Sequence, residues 1–294
     1  MNLVVGTIIV VASVLGGFAA LGGNLSVLWQ PFELVIIGGA ALGAFIIANP
    51  RRVIQDTGGV LRQLFGGTKH KRDDYLELLG LLYTLLRTAR TRGMLSLERD
   101  IERPEDSQIF QQFPGVMRHP RAIRFITDYL RLISLGAERG HEIESLMDEE
   151  LATLSKDMHR VSKSLHTVAE GLPALGIVAA VLGMIKTMAA ISAPPDVLGH
   201  MIGGALVGTF LGVLLSYGFL GPLAGAAHRL RDEEVKYFQC IKAGLAAYVH
   251  GSAPAICVEH ARKMLYAEVQ PSFHEVEEVT TAASGRLGER QKAA

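Results

Sequence analysis

The stretch His200–Leu223, HMIGGALVGTFLGVLLSYGFLGPL, runs for 24 residues without an Asp, Glu, Lys or Arg and decides the fold. A helix rises about 1.5 Å per residue, so roughly 20 such residues cross a hydrocarbon core about 30 Å thick. This stretch therefore predicts a membrane-spanning helix. Three more apolar stretches predict three more spans, at Leu3–Leu21, Phe32–Ala48 and Leu172–Ser192.

The composition supports a membrane protein. Hydrophobic residues make up 49% of the 294 and the mean hydropathy is +0.28, which together favour a membrane protein over an ordinary soluble enzyme. The 29 basic and 29 acidic residues cancel, but they are unevenly placed: Glu33 is the only charged side chain before Arg51, and Lys186 and Asp196 are the only ones between residues 171 and 228. A cleavable signal peptide is the alternative for the first stretch. No Lys or Arg precedes it and a second span follows closely, so we expect it to be retained.

The distribution of basic residues predicts the orientation. Of the 29, 19 lie in residues 51–170, nine follow residue 228, and one is Lys186. The connectors 22–31 and 193–199 have none. By the positive-inside rule the two charged regions and both termini face the cytoplasm, and we expect the inner membrane to be the location.

The predicted fold is therefore all-α, with a large helical cytoplasmic region between spans two and three. We expect a transmembrane hairpin over residues 1–49, a cytoplasmic helical domain over 50–170, a second hairpin over 171–225, and a helical tail over 226–294. Residues 141–170 contain no Gly or Pro and predict one continuous rod, whereas the end of the chain from Ser284 onward is predicted to be disordered. Cys240 and Cys257 form no disulfide framework and suggest a reducing cytosol.

Motifs for catalysis or ligand binding are missing from the sequence. It has no HExxH, phosphate-binding Gly-rich loop, nucleophile elbow or CxxC. The basic residues alternate with acidic ones instead of forming a nucleic-acid-binding patch. We expect no enzymatic activity, no metal or other cofactor, and no nucleic-acid partner.

Small residues recur every four positions along the fourth span, at Gly204, Gly208, Gly212 and Ser216. In lipid such residues let helix backbones approach closely. They could serve contacts within one subunit, but so long a run favours packing between subunits or against a partner.

Two prolines predict a hinge. Pro173 lies at the cytoplasmic entry of the third span and Pro222 at the cytoplasmic exit of the fourth. Proline inside a helix removes a backbone hydrogen bond and produces a kink. Ordinary helix boundaries are an equally good explanation of these two residues from chemistry alone.

The third and fourth spans carry no Asp or Glu at mid-membrane. Proton relays through membranes usually need such a carboxylate. If the protein conducts ions, a partner must supply it.

Several segments resemble the flagellar stator A subunit, the MotA family, and the resemblance covers nearly the whole chain. The segments are Gly93–Glu102 (GMLSLERDIE), Phe125–Ile133 (FITDYLRLI), Ile143–Glu150 (IESLMDEE), Leu172–Gly183 (LPALGIVAAVLG), Val207–Gly218 (VGTFLGVLLSYG) and Pro271–Glu278 (PSFHEVEE).

The resemblance implies a function. In that family A subunits form a pentameric ring around two MotB-like B subunits, which supply the proton-binding aspartate, and cytoplasmic charges of the ring push the rotor protein FliG. By motif position, the resemblance implies a rotor contact for Arg90, Glu98 and, more weakly, Glu150. It implies that Pro173 and Pro222 couple proton flow to movement. It also implies that Ala180, Thr209 and Tyr217 contact the B-subunit helix.

Lys186 departs from the family pattern and has no role in this scheme. Two other functions stay open: an energiser of outer-membrane transport of the ExbB or TolQ kind, and a membrane scaffold that conducts no ions. The first hairpin argues against the former, because those proteins have three spans.

Overall fold

The computed structural model describes residues 2–66, 70–136 and 140–291, and within these ranges the chain is helical without any strand. Four of the described helical segments are long and apolar enough to cross a membrane, at Leu3–Ala20, Leu25–Ala48, Arg160–Ala189 and Pro195–Val249. The predicted all-α fold with four membrane helices is confirmed.

The described residues form α-helices that we number in chain order. They are α1 (Asn2–Ala20), α2 (Leu25–Leu28), α3 (Pro31–Ala48), α4 (Arg51–Gly66), α5 (Arg72–Arg92), α6 (Glu98–Glu102), α7 (Pro114–Met117), α8 (Pro120–Ser134), α9 (Gly140–Met158), α10 (Arg160–Ala189), α11 (Pro195–Val213), α12 (Gly221–Val249), α13 (Pro254–Lys263) and α14 (Phe273–Gln291). A π-helical turn, Leu214–Leu220, joins α11 to α12.

These residues divide into two compact units. The apolar unit contains the described residues up to 66 together with 158–230, and the polar unit contains the rest. Helix α4 thus belongs with the membrane helices, although the sequence analysis placed it in the domain 50–170. The reason is its apolar face, since Val53 and Val60 are buried against Val161 and Leu165 of α10.

Helix α10 is the centre of the apolar unit. Its residues Leu172 and Ala179 are buried against Ile37 and Ala41 of α3. Helix α11 lies beside α10 and begins with Pro195, which is favoured at this position because the first turn of a helix needs no N–H donor.

Helix α5 is the centre of the polar unit. It starts where the Asp74 carboxylate accepts a hydrogen bond of 2.8 Å from the backbone N–H of Lys71. It ends at Gly93, whose φ of +84° favours glycine. Its leucine stripe forms the core, with relative exposures of 0% at Leu78, Leu79, Leu81, Leu82, Leu85 and Leu86.

Two predictions for the charged regions were wrong. The rod over 141–170 is two helices, because α9 ends at Met158 and α10 begins at Arg160. The segment from Ser284 is helical as far as Gln291, and residues 292–294 lie outside the described part. Adding a residue to an existing helix costs far less than starting a new one, so α14 continues through a sequence with little tendency of its own to fold.

Candidate functional site

Three glycines form the crossing of α10 and α11. A Cβ atom added at Gly212 would lie 2.8 Å from both Gly176 Cα and the Leu172 carbonyl oxygen. One added at Gly208 would lie 3.1 Å from the Ala180 backbone nitrogen. The two helices therefore touch through their backbones.

This contact corrects the favoured explanation of the small-residue stripe. Gly208 and Gly212 are buried within the chain, between its own helices, so they are not available for packing against another subunit. Gly204 faces the side chain of Gln30, whose Nε2 atom would be 3.2 Å from an added Cβ. Spacing alone indicated a close approach of two helices but could not identify the second helix.

The two predicted hinge prolines both lie in continuous helical segments. Pro173 is inside α10, and Pro222 is the second residue of α12, directly after the π-helical turn Leu214–Leu220. π-Helical turns are rare and often mark functional sites. No pattern in the sequence predicted this turn.

A hydrogen bond joins the π-helical turn to α10. The buried Ser216 hydroxyl donates to the backbone carbonyl of Ala169 over 2.6 Å. Ser216 was predicted only as a small packing residue, so its hydroxyl was overlooked.

The residues predicted to face the B subunit do not share one environment. Tyr217 projects outward with 73% of its surface exposed, whereas Ala180 and Thr209 are half-buried. Leu206 and Val213 of α11 are also exposed large apolar residues. Surfaces of this kind are open to lipid or to another helix.

Glu33 is a charged residue of the membrane helices that the sequence analysis left without a role. It lies in the first turn of α3, and its Oε2 atom would be 2.9 Å from a Cβ added at Gly208, its Oε1 atom 3.6 Å from one added at Gly183. The carboxylate therefore reaches the α10–α11 crossing. Lys186 lies three residues after Gly183 in α10, so this unexplained lysine is on the part of the helix that the carboxylate approaches.

The two main candidates for rotor contact lie on the surface of the polar unit. Arg90 is in the last turn of α5 and donates a weak hydrogen bond of 3.5 Å to the Gly251 carbonyl. Glu98 is the first residue of α6. Both side chains are exposed, as a protein contact through charge requires.

Glu150, the weaker candidate, has a structural partner. Its Oε2 atom accepts a hydrogen bond of 2.6 Å from the buried Tyr129 hydroxyl. Burial, together with this bond to the carboxylate, raises the pKa of Tyr129 well above its ordinary value of 10. Glu150 thus helps to hold α9 against α8.

A cluster at one end of α9 has the composition of a metal site. His141, Glu144 and His250 place three ligand atoms within 4.8 Å of one another. However, Glu144 already contacts His250 Nε2 at 2.8 Å and the Lys242 ammonium at 3.4 Å, and Lys242 also contacts Asp148 at 2.8 Å. The hydrogen bond from His250 and the charge of Lys242 lower the pKa of the Glu144 carboxyl. These contacts are those of an ion-pair network.

Both cysteines are buried in the polar unit. Burial raises the pKa of the Cys257 thiol to about 11, and that of Cys240 still further. Thiols of this kind are poor nucleophiles at neutral pH.

Comparisons with known proteins agree with this architecture. Residues 4–93 match the model of the motility protein A N-terminal region, and residues 122–240 match that of the MotA/TolQ/ExbB proton channel family. The motility protein A of Salmonella typhimurium is 45% identical over 95% of this chain and 94% of its own.

Two solved structures have a similar fold. One is the C. jejuni MotAB structure, with a TM-score of 0.71 and 18% identity over 91% of this chain and 97% of the other. The second is the flagellar MotAB stator complex from Bacillus subtilis, with a TM-score of 0.66 and 25% identity over 87% of this chain and 92% of the other.

The fold and these matches define a multi-pass membrane protein of the proton channel class. Within this class, the chain belongs to the motility protein A family. The match of residues 4–93 includes the first hairpin, which is the feature that argued against an ExbB- or TolQ-like energiser.

Proposed function

We propose that this chain is the A subunit of a proton-driven flagellar stator, which forms an ion channel with a B subunit and converts ion flow into torque for swimming. The observation that carries the proposal is the match to a motility protein A over 95% of the chain, which also has four helices able to cross a membrane. The proposal assigns the chain no enzymatic activity.

The B subunit would supply the proton-binding group. Between residues 171 and 228, all within the described part, the only carboxylate is Asp196 in the first turn of α11. Glu33 reaches the α10–α11 crossing from the first turn of α3, but α10 and α11 have no carboxylate of their own at mid-membrane, and an aspartate from a partner helix would complete the path. That helix would lie along Ala180, Thr209 and Tyr217.

The A subunits would form a ring, as a pentamer around two B subunits. Helix α1 supports an assembly because most of its side chains are exposed, with Ile8 at 61% and Ile9 at 58%. In the ring, lipid covers one side of α1 and a neighbouring copy covers the other.

The polar unit would face the cytoplasm and act on the rotor protein FliG through Arg90 and Glu98. The positive-inside rule supports this orientation, which puts both termini in the cytoplasm and the spans in the inner membrane. The exposure of both charged side chains is consistent with a rotor contact.

Complementation tests the proposal. The chain, expressed with its B subunit in a strain lacking its own A subunit, is expected to restore swimming and to co-purify with the B subunit. Failure to restore swimming at normal membrane abundance would refute the motor function.

Charge reversal tests the rotor contact. Arg90→Glu and Glu98→Lys should each slow swimming moderately, because one exposed charge pair contributes only about 0–1 kcal/mol, and the double variant should slow it more. Arg124→Glu and Glu105→Lys, at exposed sites elsewhere in the polar unit, are matched controls. Full swimming speed in the double variant would remove these two residues from the rotor contact.

A further inference from the structure

Pro173 leaves a gap in the hydrogen bonding of α10. Proline has no backbone N–H, so the carbonyl four residues earlier, that of Ala169, loses its usual helical donor. Helix α10 nevertheless continues unbroken from Arg160 to Ala189, and Ala169 is buried with 3% of its surface exposed. A buried carbonyl in this position needs a donor from elsewhere.

Ser216 supplies that donor. Its hydroxyl lies 2.6 Å from the Ala169 carbonyl oxygen, and only 2% of the residue is exposed, so water does not compete for the bond. Serine is the smallest residue with a hydroxyl, and here it continues the face of α11 that brings Gly208 and Gly212 against α10. The close backbone contact puts the hydroxyl within reach.

The backbone of Ser216 takes part in the π-helical turn between α11 and α12. Its carbonyl accepts the hydrogen bond from the N–H of Gly221, five residues later, which closes the π-helical turn immediately before Pro222. One residue therefore joins both irregular sites: its side chain bonds the carbonyl freed by Pro173, and its carbonyl closes the turn that precedes Pro222.

We propose that Ser216 is a positioning residue that couples the two prolines, so that a change of bend in α10 changes the π-helical turn before α12 as well. Any movement that draws the Ala169 carbonyl away from Ser216 breaks their hydrogen bond. A π-helical turn is less regular than an α-helix and can readjust when that bond is released. The bends at Pro173 and before Pro222 then change together. This proposal rests on the proposed motor function, since the coupled bending serves torque generation.

A purely structural role is the competing explanation. In that case the hydroxyl satisfies a buried carbonyl and its loss only weakens the fold. The two explanations differ in what Ser216→Ala does to swimming when the protein is present at normal levels.

The first experiment tests the bond with a double-mutant cycle. Melting temperatures are measured for the purified complex with the B subunit, for wild type, Ser216→Ala, Pro173→Ala and the double variant. Pro173→Ala restores the N–H that α10 lacks. Ser216→Ala should therefore lower the melting temperature when Pro173 is present and change it little when Pro173→Ala is already in place. Equal decreases in both backgrounds would overturn the link between Ser216 and Pro173.

The second experiment tests the coupling. Losing one such hydrogen bond should shift the balance between two helix arrangements by about fivefold, so Ser216→Ala should swim slowly at wild-type membrane abundance. Ser216→Thr, which keeps the hydroxyl, should recover most of the speed. Ser216→Ala protein that swims normally would overturn the coupling role, even if the melting temperatures confirm the bond.

The two experiments separate this inference from the motor function. If wild-type protein fails to restore swimming, the motor function fails, while the melting cycle still tests the Ser216 bond. If wild type swims and the cycle is additive, the inference fails and the motor function stands.

Discussion

Gly212→Ala is the sharpest test of the helix crossing, because the atoms it would meet belong to the backbone. The added Cβ would lie 2.8 Å from Gly176 Cα and from the Leu172 carbonyl oxygen. Carbon atoms pack best at about 3.5–4.0 Å, so α10 and α11 must separate by about 1 Å. Neither contact is with a side chain that could rotate away.

The expected change in the free energy of unfolding of Gly212→Ala follows from two opposing effects. Overpacking of this kind costs about 1–3 kcal/mol, and replacing Gly by Ala within a helix returns up to about 1 kcal/mol. A net loss of about 1–2 kcal/mol corresponds to about a 5- to 30-fold fall in the ratio of folded to unfolded protein.

The matched control, Gly38→Ala, should change the stability in the opposite direction. Gly38 is in the membrane helix α3, and a Cβ added there meets nothing within 4 Å. Gly38→Ala should gain helix propensity without a clash and be at least as stable as wild type. Equilibrium unfolding in mixed dodecyl maltoside and dodecyl sulfate micelles, followed by circular dichroism, measures both variants. Equal stability of Gly212→Ala and Gly38→Ala would refute the backbone contact.

Three further predictions concern charged residues and cysteines. The pKa of the Glu144 carboxyl is lowered from 4.5, so its contribution to stability is fully present above that pH and is lost as the pH falls through the folded-state value. Glu144→Gln should therefore flatten the fall in melting temperature below about pH 4.5, and an unchanged fall would contradict the ion-pair network. Cys240 and Cys257 should resist alkylation by iodoacetamide at about pH 7.5 until the protein is denatured, because both thiols are buried and protonated. Rapid labelling of the native protein, measured by mass spectrometry, would contradict this. Glu33→Gln should slow swimming at normal membrane abundance, because it removes a charge that lies against the α10–α11 crossing. The double variant Glu33→Gln/Lys186→Gln removes one charge of each sign and should recover part of the speed; a double variant no faster than the single one would contradict a coupling of the two charges.

The membrane helices were predictable because hydropathy depends on composition and length. The sequence of α5 carries a similar signal, because its leucines recur at helical spacing and Gly93 follows its last residue. The helix that packs against a row of glycines cannot be identified from composition and length. Gly208 and Gly212 indicated a close contact, but only the fold shows that the contacting helix is α10 of the same chain.

The hydrogen-bond partners of the site residues could not be predicted either, because they are far apart in the sequence. Ser216 and Ala169 are 47 residues apart, and no periodicity connects them. One signal was present in the sequence: a proline within a span frees a carbonyl, and a serine on the glycine face of the next span is a suitable donor. Glu150 shows the converse, because a charge that looked free in the sequence bonds the buried Tyr129.

Swimming speed measured alongside membrane abundance in Pro173→Ala and Pro222→Ala strains tests the central claim most directly. Alanine restores a backbone donor and removes the ring clash, so both proteins should insert, assemble with the B subunit and reach normal levels. A motor that alternates between two arrangements of similar free energy should then be held in one of them, and we expect slow swimming or none. A non-conducting scaffold would tolerate both changes. Normal speed at normal abundance in both strains would contradict the account and reduce the prolines to helix boundaries.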